Sequence, residues 1–244
     1  MDNNCTDRSA PILITGGGRR LGLYNALRLA ELGYPVIVSY RTRHEAVDEL
    51  EHQGVRVIHA DFSAPAGIQR FIETLHDITP QLRAIVHNAS AWVDDELLAG
   101  RPEAFAELVN VHMFAPYLIN TECADLLLSQ AQGRPRDIVH MTDFAVQKGS
   151  AKRAAYIATK AGLESMTRSF GKRFAPHIKV NAIAPALIKF NEEDDEAYRE
   201  TALRKSVMRL EPGEEVVWQA LLFILENRYL TGTVIPMDGG RHLV

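Results

Sequence analysis

The sequence predicts an α/β fold in which a doubly wound, Rossmann-type parallel sheet of seven strands forms a single domain. The length of 244 residues suits one domain with a sizeable core. Short apolar runs rich in β-branched residues alternate with longer stretches of helical periodicity. The short runs lack the polar alternation of a half-exposed strand, as expected for strands buried on both faces of a parallel sheet.

The predicted elements follow one another without a repeat, a low-complexity tract or a linker. Gly33 and Gly54 end the first two helices, because glycine readily adopts the left-handed conformation that closes a helix. The predicted strands cover residues 11–15, 35–40, 55–60, 83–88, 137–142, 178–185 and 233–238. The predicted helices cover residues 21–32, 45–52, 65–77, 102–129, 154–173 and 214–225.

Composition argues against several classes of protein. Lys and Arg number 27 against 31 Asp and Glu, so the net charge of −4 offers no basic excess for nucleic acid or an anionic membrane. No apolar run is long enough to span a membrane, and the first ten residues are polar. Cys5 and Cys123 cannot build a disulfide scaffold, and the nine histidines show no metal-ligand spacing. We expect a cytoplasmic protein without a metal, with a flexible tail over residues 1–9.

A glycine-rich turn, TGGGRRLG at residues 15–22, follows the first strand and opens the first helix. Glycine allows a tight turn and a close approach to phosphate, and the helix N-terminus adds free N–H groups and partial positive charge. Leu21 occupies the third glycine position of the usual G-x-G-x-x-G spacing, so a purely structural turn is the alternative. The position after strand one predicts a dinucleotide site.

The end of the second strand predicts which dinucleotide binds. NAD enzymes usually carry an acid there that holds the ribose 2′-hydroxyl. Residues 39–43 read SYRTR and contain no acid. Arginine and hydroxyl groups match a 2′-phosphate, because a guanidinium makes paired, charge-assisted hydrogen bonds. The sequence therefore favours NADPH over NADH, the alternative being arginines that merely solvate a helix start.

Tyr156 and Lys160 are four residues apart on a predicted helix, which puts the phenol and the ammonium on one face. A nearby ammonium favours the phenolate, so we expect the pKa of Tyr156 to fall below its usual value of about 10. Such a phenol can give and take a proton. Such a pair is common by chance. It indicates a catalytic site here because it follows the fifth strand of a predicted dinucleotide-binding fold.

Together these motifs resemble the short-chain dehydrogenase/reductase family. The matching segments are TGGGRRLG (15–22), Asp61, NAS (88–90), YIATK (156–160), VNAIAP (180–185) and DGG (238–240), in the family's order and spacing. The resemblance implies catalysis by Tyr156 and Lys160 and a homotetramer built through the helices at 102–129 and 154–173. It also implies an NADPH site formed by Gly16, Gly18, Arg19, Arg20, Leu21, Tyr40, Arg41, Thr42, Asp61, Phe62, Asn88, Ala89, Ser90, Thr142, Tyr156, Lys160, Pro185 and Ile188.

Several positions depart from the usual family pattern. Arg20 stands where a glycine is common, and Ala186 stands where a glycine usually follows the proline after strand six. Asp143 occupies the place of the catalytic serine, 13 residues before Tyr156. An ionised carboxylate cannot donate to a carbonyl oxygen as serine does, but it can accept from N–H groups or orient the phenol. Trp92 can stack on a flat ring.

These departures resemble the pteridine reductase branch, with Arg20, Ser90, Trp92, Asp143 and Tyr156 as the implied substrate-binding residues. The segments HNASAW, FNEEDDEAYR and DGGRHL further resemble the bacterial dihydromonapterin reductases. That resemblance implies NADPH-dependent reduction of 7,8-dihydromonapterin to tetrahydromonapterin, with weaker dihydrofolate reductase activity. The alternatives are a reductase of 3-oxoacyl thioesters, sugars or steroid ketones, and a non-catalytic NADP(H)-sensing protein.

Two further expectations come from the branch. Counting back four residues from Pro116 places His112, rather than Asn110, in the position of the asparagine that holds a water; a packed helix histidine is the alternative. Residues 186–210 are expected to form a substrate lid. The acids at 192–196 also suit the first turn of a helix, which Asn191 could cap.

Overall fold

The computed structural model describes residues 8–129 and 133–244, so Cys5 and most of the predicted tail lie outside the described residues. Seven parallel strands form one sheet in the order β3-β2-β1-β4-β5-β6-β7, which confirms the predicted fold class. The strand order reverses between β1 and β4, where doubly wound sheets bind ligands at their carboxyl edge. The strands are β1 (Ile12–Thr15), β2 (Val36–Tyr40), β3 (Arg56–His59), β4 (Ala84–His87), β5 (Arg136–Met141), β6 (Ile178–Pro185) and β7 (Val234–Met237).

Helices cover both faces of the sheet. They are α1 (Arg20–Glu31), α2 (Glu45–His52), α3 (Pro65–Ile78), α4 (Asp95–Leu98), α5 (Pro102–Val109), α6 (Ala115–Glu122), α7 (Ala124–Leu128), α8 (Ala154–Phe174), α9 (Glu196–Leu203) and α10 (Glu215–Glu226). Alternate strand residues enter two separate apolar clusters: Ile12 packs with α1 and α10, whereas Leu13 packs with α3, α6 and α8. The core therefore has two layers, and both hold the carboxyl edge of the sheet in place.

The prediction of one continuous helix over 102–129 is wrong. A π-helical turn at Asn110–Phe114 separates α5 from α6, and Cys123 separates α6 from α7. Pro116 has no N–H to donate to the carbonyl four residues earlier, so a regular α-helix cannot run through it. The N–H of Ala115 bonds instead to the carbonyl of Asn110, five residues back, which makes the π-helical turn.

The segment between β6 and α10 contains a helix, α9, as the acids at 192–196 indicate, although Glu196 alone of these acids lies within it. Its N-cap is Asp195, whose carboxylate accepts from the N–H of Tyr198 at 2.7 Å. Asn191 therefore does not cap it, contrary to prediction, and its own N–H donates to Asp194 at 2.8 Å. Asp195 is favoured because the cap must precede the first turn directly, and its oxygen reaches the third N–H of the helix.

Within the described ranges, no helix combines the length and the apolar character that a membrane crossing requires. The same ranges contain no group of three histidine, cysteine or acidic side chains placed to hold a metal ion. The cytoplasmic location stays a prediction.

Candidate active site

The glycine turn after β1 is held by residues at the ends of the two neighbouring strands, β2 and β4. The N–H of Gly16 donates to Ser39 Oγ at 3.0 Å, and that of Gly17 donates to the Ser39 carbonyl at 2.9 Å. Asn88 Nδ2 donates to the Gly16 carbonyl at 2.8 Å. Gly16 has φ +64°, and a Cβ there would lie 2.6 Å from Ala89 Cα, so only glycine fits. Asn88 thus holds the turn by a hydrogen bond, and Ala89 packs directly against Gly16.

The N-terminus of α1 is open on the same side. Arg19 precedes the helix in extended conformation, and no side chain caps the helix. A Cβ at Gly22 would lie 2.5 Å from Asn88 Nδ2 and 2.6 Å from the Gly16 carbonyl, which is why the turn and the helix can pack so closely. Free N–H groups above a glycine cradle fit a dinucleotide diphosphate.

The arginines after β2 differ in their partners. Arg43 pairs with Asp48 at 2.7 Å and with Glu51, and it donates to Tyr40 Oη at 3.3 Å. Arg41 is exposed and makes no hydrogen bond or ion pair with any described residue. Arg41 is therefore the cation available for a ribose 2′-phosphate, as expected for an NADPH site.

The other predicted cofactor residues lie along the carboxyl edge of the sheet. Asp61 and Phe62 follow β3, where the N–H of Ser63 donates to Asp61 and holds the pKa of that carboxyl below its usual value. Thr142 follows β5, and its N–H donates to the Ile183 carbonyl at 2.8 Å. The remaining members of the set are Gly18, Leu21, Thr42, Pro185 and Ile188.

Tyr156 and Asp143 form a hydrogen-bonded pair beside this edge. Tyr156 lies in the first turn of α8, is 6% exposed, and donates its hydroxyl to Asp143 Oδ2 at 3.2 Å. The other carboxylate oxygen accepts from the N–H of Ala145 at 2.8 Å and caps a short 3₁₀ turn at Phe144–Val146. The carboxylate is thereby fixed toward the phenol.

Lys160 is buried one helical turn after Tyr156. Its Nζ donates to the Met141 carbonyl at 2.9 Å and lies 5.7 Å from the centroid of the Tyr156 ring. Burial lowers the pKa of Lys160 to about 8, and the negative charge of Asp143 opposes that shift. The ammonium is thus directed at the end of β5 rather than at the phenol oxygen.

The prediction that the pKa of Tyr156 falls is wrong for this structure. Burial raises the pKa of Tyr156 above its ordinary value, and the charge and hydrogen bond of Asp143 raise it further. Ser90 and Arg153 act in the opposite direction and do not outweigh them. The phenol is therefore neutral and donates a hydrogen bond to the carboxylate.

His112 lies in the π-helical turn, and both of its ring nitrogens have protein partners. The N–H of Ala91 donates to Nε2 at 3.1 Å, so this nitrogen is an acceptor and the proton sits on Nδ1. Nδ1 lies 2.8 Å from Thr159 Oγ1, and Ser90 Oγ lies 2.9 Å from Nε2. Burial holds the pKa of His112 well below its usual value, and the charge of Lys160 lowers it further. These contacts leave no ring nitrogen for a water, so the water-holding role stays a prediction that the geometry does not favour.

An open cavity of about 580 Å³ lies in front of the Tyr156–Asp143 pair, and Trp92 lines it with them. The Arg153 guanidinium carbon lies 3.9 Å from the centroid of the Trp92 ring, and Arg153 Nε pairs with Asp94 at 2.6 Å. Three of the five predicted substrate-binding residues thus share one cavity. Sequence reasoning missed Arg153, which no motif marks.

Arg20 is not among the residues that line this cavity. Its guanidinium donates to the Lys189 carbonyl at 3.0 Å and to Asn191 Oδ1. Both acceptors belong to the segment between β6 and α9, inside the predicted lid. Arg20 therefore ties the first turn of α1 to that segment, with φ +50° in the left-handed region that few side chains adopt.

We expect the Arg20→Gly variant to unfold at a temperature about 2–4 °C higher than Arg20→Ala, because glycine removes about 1 kcal/mol of backbone strain. Both variants lose the contacts to Lys189 and Asn191, so both should show a higher KM for substrate. Thermal denaturation and steady-state kinetics measure the two effects. Equal melting temperatures would show that the positive φ stores no strain.

The amino-acid sequence is similar to those of known reductases. Residues 19–242 match the family described as "Enoyl-(Acyl carrier protein) reductase". The chain is 48% identical over 233 residues to the dihydromonapterin reductase of Enterobacter sp. (strain 638), covering 96% of this chain and 97% of that protein. It is 46% identical over 236 residues to the dihydromonapterin reductase of Escherichia coli O6:H1, covering 97% and 98%.

Solved structures agree in fold. FolM Alternative dihydrofolate reductase 1 from Brucella canis, complexed with NADP, is 27% identical, with a TM-score of 0.82 over 97% of this chain and 95% of that one. The RhlG/NADP active-site complex of Pseudomonas aeruginosa is 24% identical, with a TM-score of 0.88 over 99% and 100%. At that lower identity the second match shows the fold alone.

Proposed function

The chain belongs to the short-chain dehydrogenase/reductase family, and from that premise we propose that it uses NADPH to reduce 7,8-dihydromonapterin to 5,6,7,8-tetrahydromonapterin. Dihydrofolate and other dihydropterins are weaker substrates. The observation that carries the proposal is the hydrogen-bonded Tyr156–Asp143 pair, which lines one cavity together with Trp92. The names of the similar proteins support the same substrate class.

The cofactor site fits NADPH on its own geometry. Gly16 and Gly22 let the turn pack tightly against Ala89 and Asn88, and the start of α1 has no side-chain cap, so its N–H groups are available to a diphosphate. Arg41 supplies an uncommitted guanidinium for the 2′-phosphate, and no carboxylate follows β2 to favour NADH. Bound NADPH would supply the hydride, and Lys160 would hold its ribose hydroxyls.

The protein's own part in the reaction is proton delivery. Reduction of the C6–N5 bond of a dihydropterin requires a proton at N5. Burial and Asp143 raise the pKa of Tyr156, so the phenol is protonated at neutral pH, and both residues line the cavity. Asp143 orients the phenol and can accept hydrogen bonds from N–H groups of the pterin ring. We assign Tyr156 as the donor and Asp143 as the residue that orients it.

Trp92 supplies the flat wall that a pterin needs. Its ring is 60% exposed, and Arg153 covers one part of it at 3.9 Å, which restrains its orientation. An aromatic ring stacked on the pterin fixes the heterocycle in the plane required for transfer. A small ketone would gain nothing from this wall, which supports a pterin over an aliphatic carbonyl substrate.

The test measures NADPH oxidation with 7,8-dihydromonapterin, 7,8-dihydrobiopterin, dihydrofolate and acetoacetyl thioester, with NADH as the cofactor control. We expect turnover of the dihydropterins, fastest with dihydromonapterin, and a clear preference for NADPH. Turnover of the thioester alone would identify a carbonyl reductase of the same family. NADPH binding without turnover of any substrate would indicate a sensing protein.

We infer that the enzyme assembles as a homotetramer through α5, α6 and α8. The family resemblance supports this assembly, and Phe105 on α5 and Tyr117 on α6 leave large apolar surfaces exposed in the single chain. Light scattering coupled to gel filtration measures the mass. A monomer at micromolar concentration would contradict the assignment.

A further inference from the structure

We infer that the cavity contains an anion subsite, which binds a carboxylate or phosphate group on the side chain of the pterin. The inference rests on the proposed function, and it concerns the part of the cavity away from the catalytic pair. Monapterin carries an uncharged polyol at C6, whereas dihydrofolate carries glutamate carboxylates. The cations that line the cavity therefore strengthen the binding of a charged side chain, such as that of dihydrofolate, and leave the binding of the neutral polyol unchanged.

More cationic than acidic side chains line the cavity, although the chain as a whole carries a net charge of −4. Asp143 is the one carboxylate side chain among its lining residues. The cations that line the cavity are Lys148, Arg153, Arg204, Lys205 and Arg241. Like charges that share a cavity repel one another, and an anionic ligand removes that repulsion.

Three of these cations already have partners. Arg153 pairs with Asp94, and Lys148 donates to the main-chain oxygen of Val244. Arg204 pairs with Glu200 on the exposed face of α9. Their charges are partly compensated, so these three cations contribute little to the attraction of an anion.

Lys205 and Arg241 make no ion pair with any described residue, although they line the same cavity. The Arg241 guanidinium carbon lies 4.9 Å from the centroid of the Phe144 ring, which restrains this long side chain. The main chain of Arg241 is also fixed, because its N–H donates to the Asp238 carbonyl at 3.0 Å. An arginine held in this way loses less entropy when it binds an anion.

The two cations come from distant parts of the chain. Lys205 is the second residue after α9, in the predicted lid, and Arg241 begins the 3₁₀ turn after β7. Charges on a solvated helix face would all belong to one helix. Lys205 and Arg241 belong to different elements and line the same cavity only because the chain folds. Phe144, against which Arg241 rests, is adjacent in sequence to Asp143. The subsite is therefore continuous with the place where the pterin ring is reduced.

The experiment compares Lys205→Gln, Arg241→Gln and the double variant with wild type. The substrates are 7,8-dihydromonapterin, its phosphate monoester and dihydrofolate, which separate phosphate from carboxylate recognition. We expect kcat/KM for at least one anionic substrate, relative to that for dihydromonapterin, to fall about tenfold in the single variants and further in the double variant. Arg70→Gln is the matched control, since Arg70 is an exposed cation on α3 outside the cavity.

Added salt should lower the same ratio in wild type and change it little in the double variant. An equal effect on charged and neutral substrates, or no effect on either, would overturn the subsite. Wild-type turnover of neutral dihydromonapterin tests the proposed function separately. Calorimetric binding of dihydrofolate to each variant tests the subsite even if no dihydropterin is reduced.

Discussion

The Tyr156→Phe enzyme is expected to reduce 7,8-dihydromonapterin with a kcat about 10²–10⁴-fold below wild type, the range that a positioned general acid usually contributes. Phenylalanine keeps the ring that α8 buries and removes only the hydroxyl that donates to Asp143 at 3.2 Å. Without that proton, N5 must be protonated by solvent, which is not positioned for it. The loss should appear in kcat more than in KM, because the hydroxyl acts in the transition state.

Asp143→Ala is the companion variant, and it should also lose most turnover. Its carboxylate both accepts from the phenol and caps the turn at Phe144–Val146, so the alanine variant removes orientation as well as charge. Asp143→Asn keeps the cap acceptor and should retain more activity than alanine. NADPH binding, followed by fluorescence, and far-ultraviolet circular dichroism serve as controls, and both should match wild type. Near wild-type kcat in both Tyr156→Phe and Asp143→Ala would refute these roles.

The fold was predictable because its signals are local. Apolar runs, helical periodicity and the glycines at 33 and 54 mark each βα unit without reference to the rest of the chain. The break between α5 and α6 also has a local signal, Pro116, which removes one main-chain donor from the helix. Asp195 rather than Asn191 caps α9, which sequence alone leaves open because two adjacent acids and an asparagine all suit a cap.

The electrostatics of the site were not predictable from spacing. A four-residue interval puts Tyr156 and Lys160 on one helix face, but it does not say that the Met141 carbonyl of β5 receives the ammonium. The interval also does not show how deeply the phenol is buried, and burial is the main reason why its pKa rises. The grouping of Lys205 with Arg241 has no sequence signal at all, because the two residues are distant in the chain.

The largest stability effect is expected at the opposite edge of the sheet. Asp137 is fully buried at the start of β5, with Arg83 at 2.6 Å on one oxygen and Lys179 at 2.6 Å on the other. The two cations also donate to carbonyls at the end of α10: Arg83 to Leu225 at 2.9 Å and Lys179 to Ile224 at 2.8 Å. One carboxylate thus neutralises two charges that anchor α10 to the sheet.

Asp137→Asn should lower the free energy of unfolding by about 3–5 kcal/mol, because it leaves two buried cations without a counter-ion. Urea denaturation at a fixed protein concentration measures the loss. Glu31→Gln is the control: it breaks the exposed Arg28–Glu31 pair at 2.7 Å and should cost less than about 1 kcal/mol. Since Asp137 lies at the amino end of its strand, kcat of the folded variant should match wild type. A loss as small as that of the control would mean that the two cations find other compensation, and that α10 is held by its apolar face alone.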